Sequence, residues 1–334
     1  MVPPGPELLA RARLLVAPEL SASLVREVER ITGRRAEPLE DGAAGSDPLL
    51  CVGAALPGSV RAAERLLWFH SVNAGTDPLL AAGPWPAGAL LTRTVGRMGE
   101  RIAQYVLGWV LAECQAVPEY VAQHARAEWR RLPTELVAGQ TALVYGTGRI
   151  GGAVAGLLRS CGVRTVGVGR TARTKAPPPG FDRVIGAGGG AGPEREEPEG
   201  AARADAEAEE LAGARWVVGA LPLTGVTEGF FGAGRFAAVR GATFVNVGRG
   251  ATVDLGALEA ALRGGGVRSA VLDVLAEEPA APDDPVWRLP RTVITSHSAG
   301  ITADEDVAVD FAACWEAVRE GRRPELAVDV GRGY

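Results

Sequence analysis

A glycine-rich turn between an apolar run and a helical pattern is the feature that most constrains the fold of this 334-residue chain. The turn reads GTGRIG at residues 146–151 and follows the strand-like run Ala142–Tyr145. Its first glycine permits a tight turn, its second lets a pyrophosphate approach the backbone, and its third allows close packing of helix on strand. The spacing alone is a weak signal, but the strand–turn–helix context predicts a dinucleotide-binding turn. The alternative is a glycine turn with no ligand.

The second predicted strand of this region, Thr165–Val168, is followed by no acidic residue. An NAD site usually carries Asp or Glu there, which binds the ribose 2′-hydroxyl. In this chain Arg170, Thr171 and Arg173 follow, and arginine offers paired hydrogen bonds to phosphate oxygens. The sequence therefore predicts NADP(H) in preference to NAD(H). The alternative is that these are ordinary surface arginines, because the chain has 34 arginines and one lysine.

Further apolar runs with the length of buried strands continue this region at residues 215–220, 243–247, 270–274 and 292–295. The first 95 residues also alternate strand-like and helical patterns, and a long apolar-rich helix is predicted over Met98–Val117, with a second helix to Arg131. A final helix is predicted over Ala303–Glu320. The alternation predicts an α/β protein with parallel sheets.

One segment, Gly186–Glu210, is rich in Gly, Ala and Glu and has no apolar anchor. This composition predicts a mobile loop that runs into a solvated helix, with a functional lid as the alternative.

Composition excludes several classes of function. With a net charge of −5, the chain lacks the excess of positive charge that binding to nucleic acid usually requires. The three histidines and four cysteines lie far apart and lack the spacing of a zinc site, so no metal is predicted. The N-terminus lacks the pattern of a signal peptide, and the longest apolar run is far shorter than the ~20 residues that a bilayer span needs. We expect a soluble cytoplasmic protein that contacts neither nucleic acid nor membrane.

Three chemically distinct side chains follow the ends of predicted strands in this second region: Arg249, Glu278 and His297. Strand ends are where a doubly wound sheet builds its site. Arg249 can bind a substrate carboxylate, His297 can deliver a proton to a carbonyl oxygen, and Glu278 can orient the imidazole. Each has an ordinary structural alternative: a cap or surface arginine, a core histidine and a solvated loop acid. Their order behind a nucleotide-binding turn favours reduction of a 2-oxo acid.

These motifs together resemble the NAD(P)-dependent D-2-hydroxyacid dehydrogenase family, from about Leu66 to Val318. The pattern most resembles the glyoxylate/hydroxypyruvate reductase branch, which commonly uses NADPH. The stretches that carry the resemblance are LLWFHSVNAGTD (66–77), GRMGERIAQYVLGWVL (96–111), GTGRIGG (146–152), ALPLTGVTEGFF (220–231), FVNVGRGATVD (244–254), LDVLAEEP (272–279) and PVWRLPRTVITSHSAGIT (285–302).

The resemblance implies a two-domain α/β fold in which a Rossmann-type doubly wound parallel sheet is inserted into a smaller flavodoxin-like α/β substrate domain. The substrate (catalytic) domain is expected to comprise residues 1–96 and 303–334, and the dinucleotide-binding domain residues 97–302. The resemblance also implies a homodimer. The chain departs from the family pattern at Gln104, where glutamate is frequent, and at Ser296, where proline is usual.

The resemblance assigns catalysis to Arg249, Glu278 and His297, and assigns binding of the substrate carboxylate to Arg249 and to the backbone N–H groups of Asn73, Ala74 and Gly75. Asp273 corresponds to the aspartate that binds the nicotinamide carboxamide. The full cofactor-binding set is expected to be Gly146, Gly148, Arg149, Ile150, Gly151, Arg170, Thr171, Arg173, Leu221, Pro222, Thr227, Val247, Asp273, His297 and Ala299.

We therefore expect an NADPH-preferring oxidoreductase that reduces a small 2-oxo acid, of the glyoxylate or hydroxypyruvate type, to the 2-hydroxy acid. Two alternatives stay open. One is a specialised enzyme for a bulkier or differently charged 2-oxo acid, and the other is a dinucleotide-sensing binding protein on the same fold.

Overall fold

A computed structural model of the chain describes residues 3–43, 45–172, 177–188 and 198–331. The chain divides into two compact units. The first unit contains the residues up to Met98 and those from Ile301 onward, and the second unit is Gly99–Gly300. The chain thus leaves the first unit once and returns to it once, so that the second unit is an insertion into the first.

The first unit is built on a five-stranded parallel sheet in the order β2-β1-β3-β4-β5. This is the flavodoxin-like strand order. Leu and Val side chains on both faces of the sheet are buried, which accounts for strands with continuous apolar runs. The strands are β1 (Arg13–Val16), β2 (Ala36–Pro38), β3 (Leu49–Gly53), β4 (Leu66–Ser71) and β5 (Leu90–Arg93), and the helices are α1 (Pro6–Arg11), α2 (Ala22–Thr32), α3 (Gly58–Arg61), α4 (Asp77–Ala81) and α11 (Asp304–Arg319).

The second unit is built on a seven-stranded parallel sheet in the order β12-β11-β10-β9-β6-β7-β8. Its strands are β6 (Thr141–Tyr145), β7 (Arg164–Gly169), β8 (Arg183–Gly186), β9 (Trp216–Gly219), β10 (Ala242–Asn246), β11 (Val267–Leu272) and β12 (Thr292–Ile294). Its helices are α5 (Met98–Cys114), α6 (Val117–Ala125), α7 (Arg149–Ser160), α8 (Pro198–Gly213), α9 (Ala233–Ala238) and α10 (Leu255–Arg263). The strand order reverses between β6 and β9, and doubly wound sheets bind ligands at the carboxyl ends of strands at such a point.

The structure confirms the predicted α/β class with parallel sheets and adds two edge strands, β2 and β8, that the sequence analysis missed. Both are short, and β2 ends in Pro38. An edge strand tolerates proline because its outer N–H groups have no partner strand, so its sequence pattern is weak. Among the described residues, the helices are all too short or too polar to cross a membrane.

The prediction of a solvated helix in the segment 186–210 is wrong in one respect. Helix α8 forms, but Glu207 is only 4% exposed. Its carboxylate accepts hydrogen bonds from Tyr145 Oη at 2.8 Å, Arg235 Nε at 2.8 Å and the Gly188 N–H at 2.6 Å. A buried charge is tolerated only when it is paired in this way, so the helix is anchored by an ion pair as well as by buried Leu211. The predicted mobile loop falls mostly on residues 189–197, which lie outside the described residues.

The second predicted helix, expected to reach Arg131, ends six residues earlier at Ala125. The N–H groups of Arg126 and Glu128 both donate to the Gln123 carbonyl, and Ala127 has a φ of +54°. Such left-handed residues stop a helix by redirecting the chain. Residues 128–136 then run without regular structure, with Trp129 103% and Leu136 83% exposed.

Candidate active site

The glycine turn after β6 is dictated by close backbone packing. Gly146 has a φ of +100°, and a Cβ there would lie 2.6 Å from the Ala220 carbonyl oxygen at the end of β9. A Cβ at Gly151 would overlap the carbonyl oxygen of Gly146. Any side chain at either position would push α7 or β9 away from β6, so both glycines are required by sterics.

The middle glycine of the turn has a different surrounding. No atom lies within 4 Å of where a Gly148 Cβ would sit, and Gly148 gives α7 no side-chain cap. The first N–H groups of the helix, at Arg149, Ile150 and Gly151, have no side-chain cap from Gly148 and carry the positive end of the helix dipole. Open space beside an uncapped helix start fits the diphosphate of a dinucleotide.

At the carboxyl end of β7, the residues expected to bind a 2′-phosphate are only partly described. Arg170 and Thr171 are exposed, while Arg173 lies outside the described residues. The chain carries no carboxylate between the end of β7 and Ala172. The charge here is therefore positive, as a phosphate requires.

The loop after β9 carries the predicted residues Leu221, Pro222 and Thr227. The Thr227 hydroxyl accepts from the Thr224 N–H at 2.7 Å and lies 2.7 Å from the Pro222 carbonyl oxygen, to which it can donate. The Leu221 backbone in turn packs on Gly248, where a Cβ would lie 2.6 Å from the Leu221 carbonyl oxygen. This loop is therefore fixed by its own hydroxyl and by contact with the next strand end.

Arg249 stands in a turn between two sterically required glycines. A Cβ at Gly250 would overlap the backbone carbonyl of Leu275, which is why the turn can hold the arginine close to the loop after β11. The Arg249 side chain is half-buried and donates from Nη1 to the Gly248 carbonyl at 2.8 Å. Buried Val247, also expected at the cofactor site, donates its N–H to the Gly219 carbonyl at 2.9 Å.

Two further side chains, missed by the sequence analysis, hold the same turn. Asn246 Nδ2 donates to the Arg249 carbonyl at 3.1 Å, and Asn246 Oδ1 accepts from the Gly248 N–H at 3.1 Å. The Thr252 hydroxyl donates to the Arg249 carbonyl at 2.6 Å. Both residues sit three positions from Arg249, a spacing at which short polar side chains commonly bond to a turn backbone, and that spacing was the available signal.

The structure brings Glu278 and His297 together. The His297 Nδ1 atom lies 2.7 Å from Glu278 Oε2, and Glu278 Oε1 accepts from the Leu275 N–H at 2.7 Å. The carboxylate is thus fixed at both oxygens. With Nδ1 donating to the carboxylate, Nε2 is the ring nitrogen that can take up and release a proton, on an exposed ring.

Asp273, which the resemblance expects to bind the nicotinamide carboxamide, directly follows β11. It is buried, and its carboxylate accepts from the N–H groups of Ser298, at 2.8 Å, and Ala299, at 3.0 Å and 3.1 Å. It also accepts from the Thr295 hydroxyl at 2.7 Å. The Asp273 carboxylate thus accepts hydrogen bonds from the loop that carries His297, and the Ala299 N–H is one of the donors.

The predicted substrate loop, residues 73–75, belongs to the first unit. Asn73 is exposed, and its N–H already donates to Ser71 Oγ at 3.2 Å. Arg93 Nη1 donates to the Ala74 carbonyl at 3.3 Å. Of the three N–H groups expected to bind an anion, that of Asn73 is therefore partly committed to the loop itself.

Comparison with known proteins places these features in a family. Residues 107–299 match the model of the D-isomer specific 2-hydroxyacid dehydrogenase NAD-binding domain. A protein of Streptomyces coelicolor, described as an uncharacterized protein in the mprR 3′ region, is 56% identical over 294 residues, which cover 88% of this chain and 99% of that protein. Glyoxylate/hydroxypyruvate reductase A of Serratia proteamaculans is 30% identical over 277 residues, 81% of this chain and 82% of that enzyme.

A solved structure gives the same result for the whole chain. The D-isomer specific 2-hydroxyacid dehydrogenase from Xanthobacter autotrophicus Py2, in complex with NADPH and MES, has a TM-score of 0.81 and 27% identity, with 97% of this chain and 100% of that one covered. The matched family model covers the glycine turn, Arg249, Glu278 and His297. The chain therefore belongs to the D-isomer specific 2-hydroxyacid dehydrogenase family of oxidoreductases, whose members bind a nicotinamide dinucleotide.

Proposed function

We propose that the protein is an NADPH-preferring reductase that converts a small 2-oxo acid, of the glyoxylate or hydroxypyruvate type, to the 2-hydroxy acid. The observation that carries the proposal is the His297–Glu278 pair, with Nδ1 and Oε2 2.7 Å apart and the second carboxylate oxygen fixed by the Leu275 N–H. A histidine held in this way is a proton donor of defined direction. The name of the Serratia relative supports the substrate class.

The residues of this chain have distinct roles in the proposed reaction. His297 delivers the Nε2 proton to the oxygen of the substrate carbonyl, and Glu278 stabilises the imidazolium that donates it. Arg249 binds the substrate carboxylate through its two-pronged guanidinium. The bound dinucleotide supplies the hydride for the carbonyl carbon.

We propose the cofactor-binding residues from the geometry and charge of the second unit. The N–H groups at the start of α7 would hold the diphosphate, and Arg170 and Thr171 would hold the 2′-phosphate. The absence of a carboxylate between β7 and Ala172 supports NADPH over NADH, as does the NADPH in the Xanthobacter structure. We infer that Gly99–Gly300 is the dinucleotide-binding domain and that the first unit is the substrate domain.

A homodimer is also proposed. Six large apolar side chains are exposed on α5, α6 and the irregular segment after α6: Leu111, Val117, Tyr120, Val121, Trp129 and Leu136. Large apolar side chains exposed along neighbouring stretches of chain are typical of protein–protein contact. Light scattering of the purified protein should give a mass twice that of the 34.6 kDa chain, and Val121→Glu should shift it towards the monomer. A monomeric wild type would exclude this part of the proposal.

The function is tested by following NADPH oxidation with glyoxylate, hydroxypyruvate, pyruvate, an aromatic 2-oxo acid and a phosphonate-bearing 2-oxo acid. We expect the highest kcat/KM with glyoxylate and hydroxypyruvate. With either substrate, kcat/KM should be lower when NADH replaces NADPH. Fast turnover of only the bulky or doubly charged acids would overturn the substrate class. Tight NADPH binding without turnover on any of the five would instead favour a dinucleotide-sensing protein.

A further inference from the structure

The loop between β12 and Gly300 carries His297 on an unfavourable backbone. Ser296 and His297 have φ angles of +55° and +56°, in the left-handed region that non-glycine residues adopt in only a minority of cases. Two consecutive residues keep left-handed φ angles only when hydrogen bonds hold them, because backbone conformations of lower energy are open to both. The contacts of this loop therefore decide where the imidazole points.

The contacts converge on Asp273, which is 3% exposed at the end of β11. Its backbone carbonyl accepts from the His297 N–H at 2.6 Å. Its carboxylate accepts from the Ser298 and Ala299 N–H groups, on the other side of His297. Asp273 thus accepts hydrogen bonds from His297 itself and from the two residues that follow it. These bonds hold the left-handed backbone of the loop in place.

Thr295, on the N-terminal side of His297, also bonds to Asp273. Its hydroxyl lies 2.7 Å from Asp273 Oδ1 and 2.6 Å from Tyr105 Oη. A threonine hydroxyl has one proton, and a carboxylate can only accept, so Thr295 donates to Asp273 and accepts from Tyr105. The Tyr105 phenol keeps the proton that it donates, because burial raises its pKa to about 12. An edge-on contact with Trp109 further orients the ring.

We propose that the hydroxyls of Tyr105 and Thr295 are positioning groups for His297. The chain of hydrogen bonds runs from Tyr105 on α5, through Thr295, to the Asp273 carboxylate, and it fixes the left-handed backbone that points the imidazole at Glu278. Both hydroxyls act on His297 through Asp273 and the loop backbone. The inference deepens the proposed function, on which it rests for the role of His297 as proton donor.

The test uses four variants of the full chain. Thr295→Val keeps the shape of the side chain and removes both hydrogen bonds, Thr295→Ser restores the hydroxyl, and Tyr105→Phe removes the outer bond alone. Thr292→Val is the matched control, because Thr292 begins β12, three residues before Thr295, and its hydroxyl donates to the Pro290 carbonyl at 3.1 Å. For each variant we would measure kcat and KM for both substrates, the pH profile of kcat, and the unfolding temperature.

We expect Thr295→Val to lower kcat by about 10- to 100-fold, the cost of a misplaced catalytic group. Tyr105→Phe should lower kcat by about 2- to 10-fold, since it removes one hydrogen bond. Both should change the pH profile of kcat and leave the KM for NADPH near its wild-type value. Thr295→Ser should restore most of the rate. A loss of rate equal to that of Thr292→Val, or no rescue by serine, would overturn the proposal.

A readout without turnover separates this inference from the proposed function. The chain has three histidines, so the ring nitrogens of His297 can be followed by 15N NMR and assigned with His297→Gln. Burial lowers the pKa of His70 to about 3, which keeps its signals constant as an internal reference. Thr295→Val should move the Nδ1 signal of His297 away from its carboxylate-bonded position, while Thr292→Val should not. An unmoved signal contradicts the positioning role, whereas absence of reductase activity in the wild type contradicts only the proposed function.

Discussion

The turn that carries Arg249 and the loop that carries His297 follow strands of one sheet, yet they are held by different forces. Gly248 and Gly250 press the Arg249 turn against the backbones of Leu221 and Leu275, where no side chain fits. The His297 loop instead keeps ordinary residues in left-handed conformations through hydrogen bonds to Asp273. The first arrangement depends on close contact and tolerates no added atom. The second depends on polar partners and tolerates side chains, but only while those partners remain.

The largest effect should come from His297→Ala, which removes the proposed proton donor and leaves the loop backbone in place. We expect kcat to fall by about 10²- to 10⁴-fold, the usual loss for general acid catalysis. The unfolding temperature should hardly change, because the His297 side chain is 51% exposed. Steady-state kinetics beside thermal unfolding checks both. A variant that keeps wild-type kcat would show that the proton comes from elsewhere.

The next largest effect should be Gly250→Ala, which tests the contact-held turn. Its Cβ would overlap the Leu275 carbonyl, and we expect the free energy of unfolding to fall by about 3 kcal/mol, with loss of activity. Gly234→Ala on α9 is the matched control. No atom lies within 4 Å of that Cβ, so it should be neutral or stabilising. Denaturant unfolding measures both, and equal stability of the two variants would refute the steric account.

A smaller effect is expected for Arg249→Lys, which keeps the charge and loses the two-pronged geometry. We expect kcat/KM for the 2-oxo acid to fall by about 10- to 100-fold. Arg263→Lys is the control, since Arg263 forms an exposed pair with Glu259 on α10. If the lysine variant of Arg249 turned over substrate as efficiently as that control, paired binding of a carboxylate at Arg249 would be excluded.

The smallest effect should be Ser296→Gly, which relieves one left-handed residue of the polar-held loop. Glycine populates that region readily, and the gain in the folded state should outweigh its extra entropy in the unfolded chain by about 0.5 kcal/mol. Ser160→Gly at the end of α7 should lose about that amount, because glycine weakens a helix. Chemical denaturation would test the sign, and a destabilised Ser296→Gly would show that the serine side chain holds the loop.

Much of the second unit was predictable because its signals are local. The glycine turn, the apolar strands and the strand-end positions of Arg249, Glu278 and His297 each lie within one short stretch of sequence. The sterics of Gly146 and Gly151 explain why the turn requires glycine at both positions. The family assignment followed from the order of such stretches, and the comparisons confirm it.

What the sequence analysis missed depends on partners that are far apart in the chain. Glu207 pairs with Arg235, 28 residues later, and with Tyr145, 62 residues earlier, so nothing in its neighbourhood marks it as buried. The hydroxyls of Tyr105 and Thr295 meet across 190 residues. The left-handed backbone at Ser296 was also not predictable from the sequence, because serine has no preference for that conformation. Side-chain roles that need two distant elements are invisible to periodicity and spacing.

The anchor at Glu207 has a consequence for the order in which the chain folds. Its carboxylate can leave water only when Arg235 is present, because an unpaired buried charge is costly. Arg235 lies on α9, which emerges from the ribosome after α8, and Tyr145 lies on β6, which emerges long before. Helix α8 therefore cannot complete its docking while the sheet is half synthesised, and its burial is delayed until the other half has begun to form. The Glu207–Arg235 salt bridge, together with Tyr145, thus joins side chains from both halves of the doubly wound sheet.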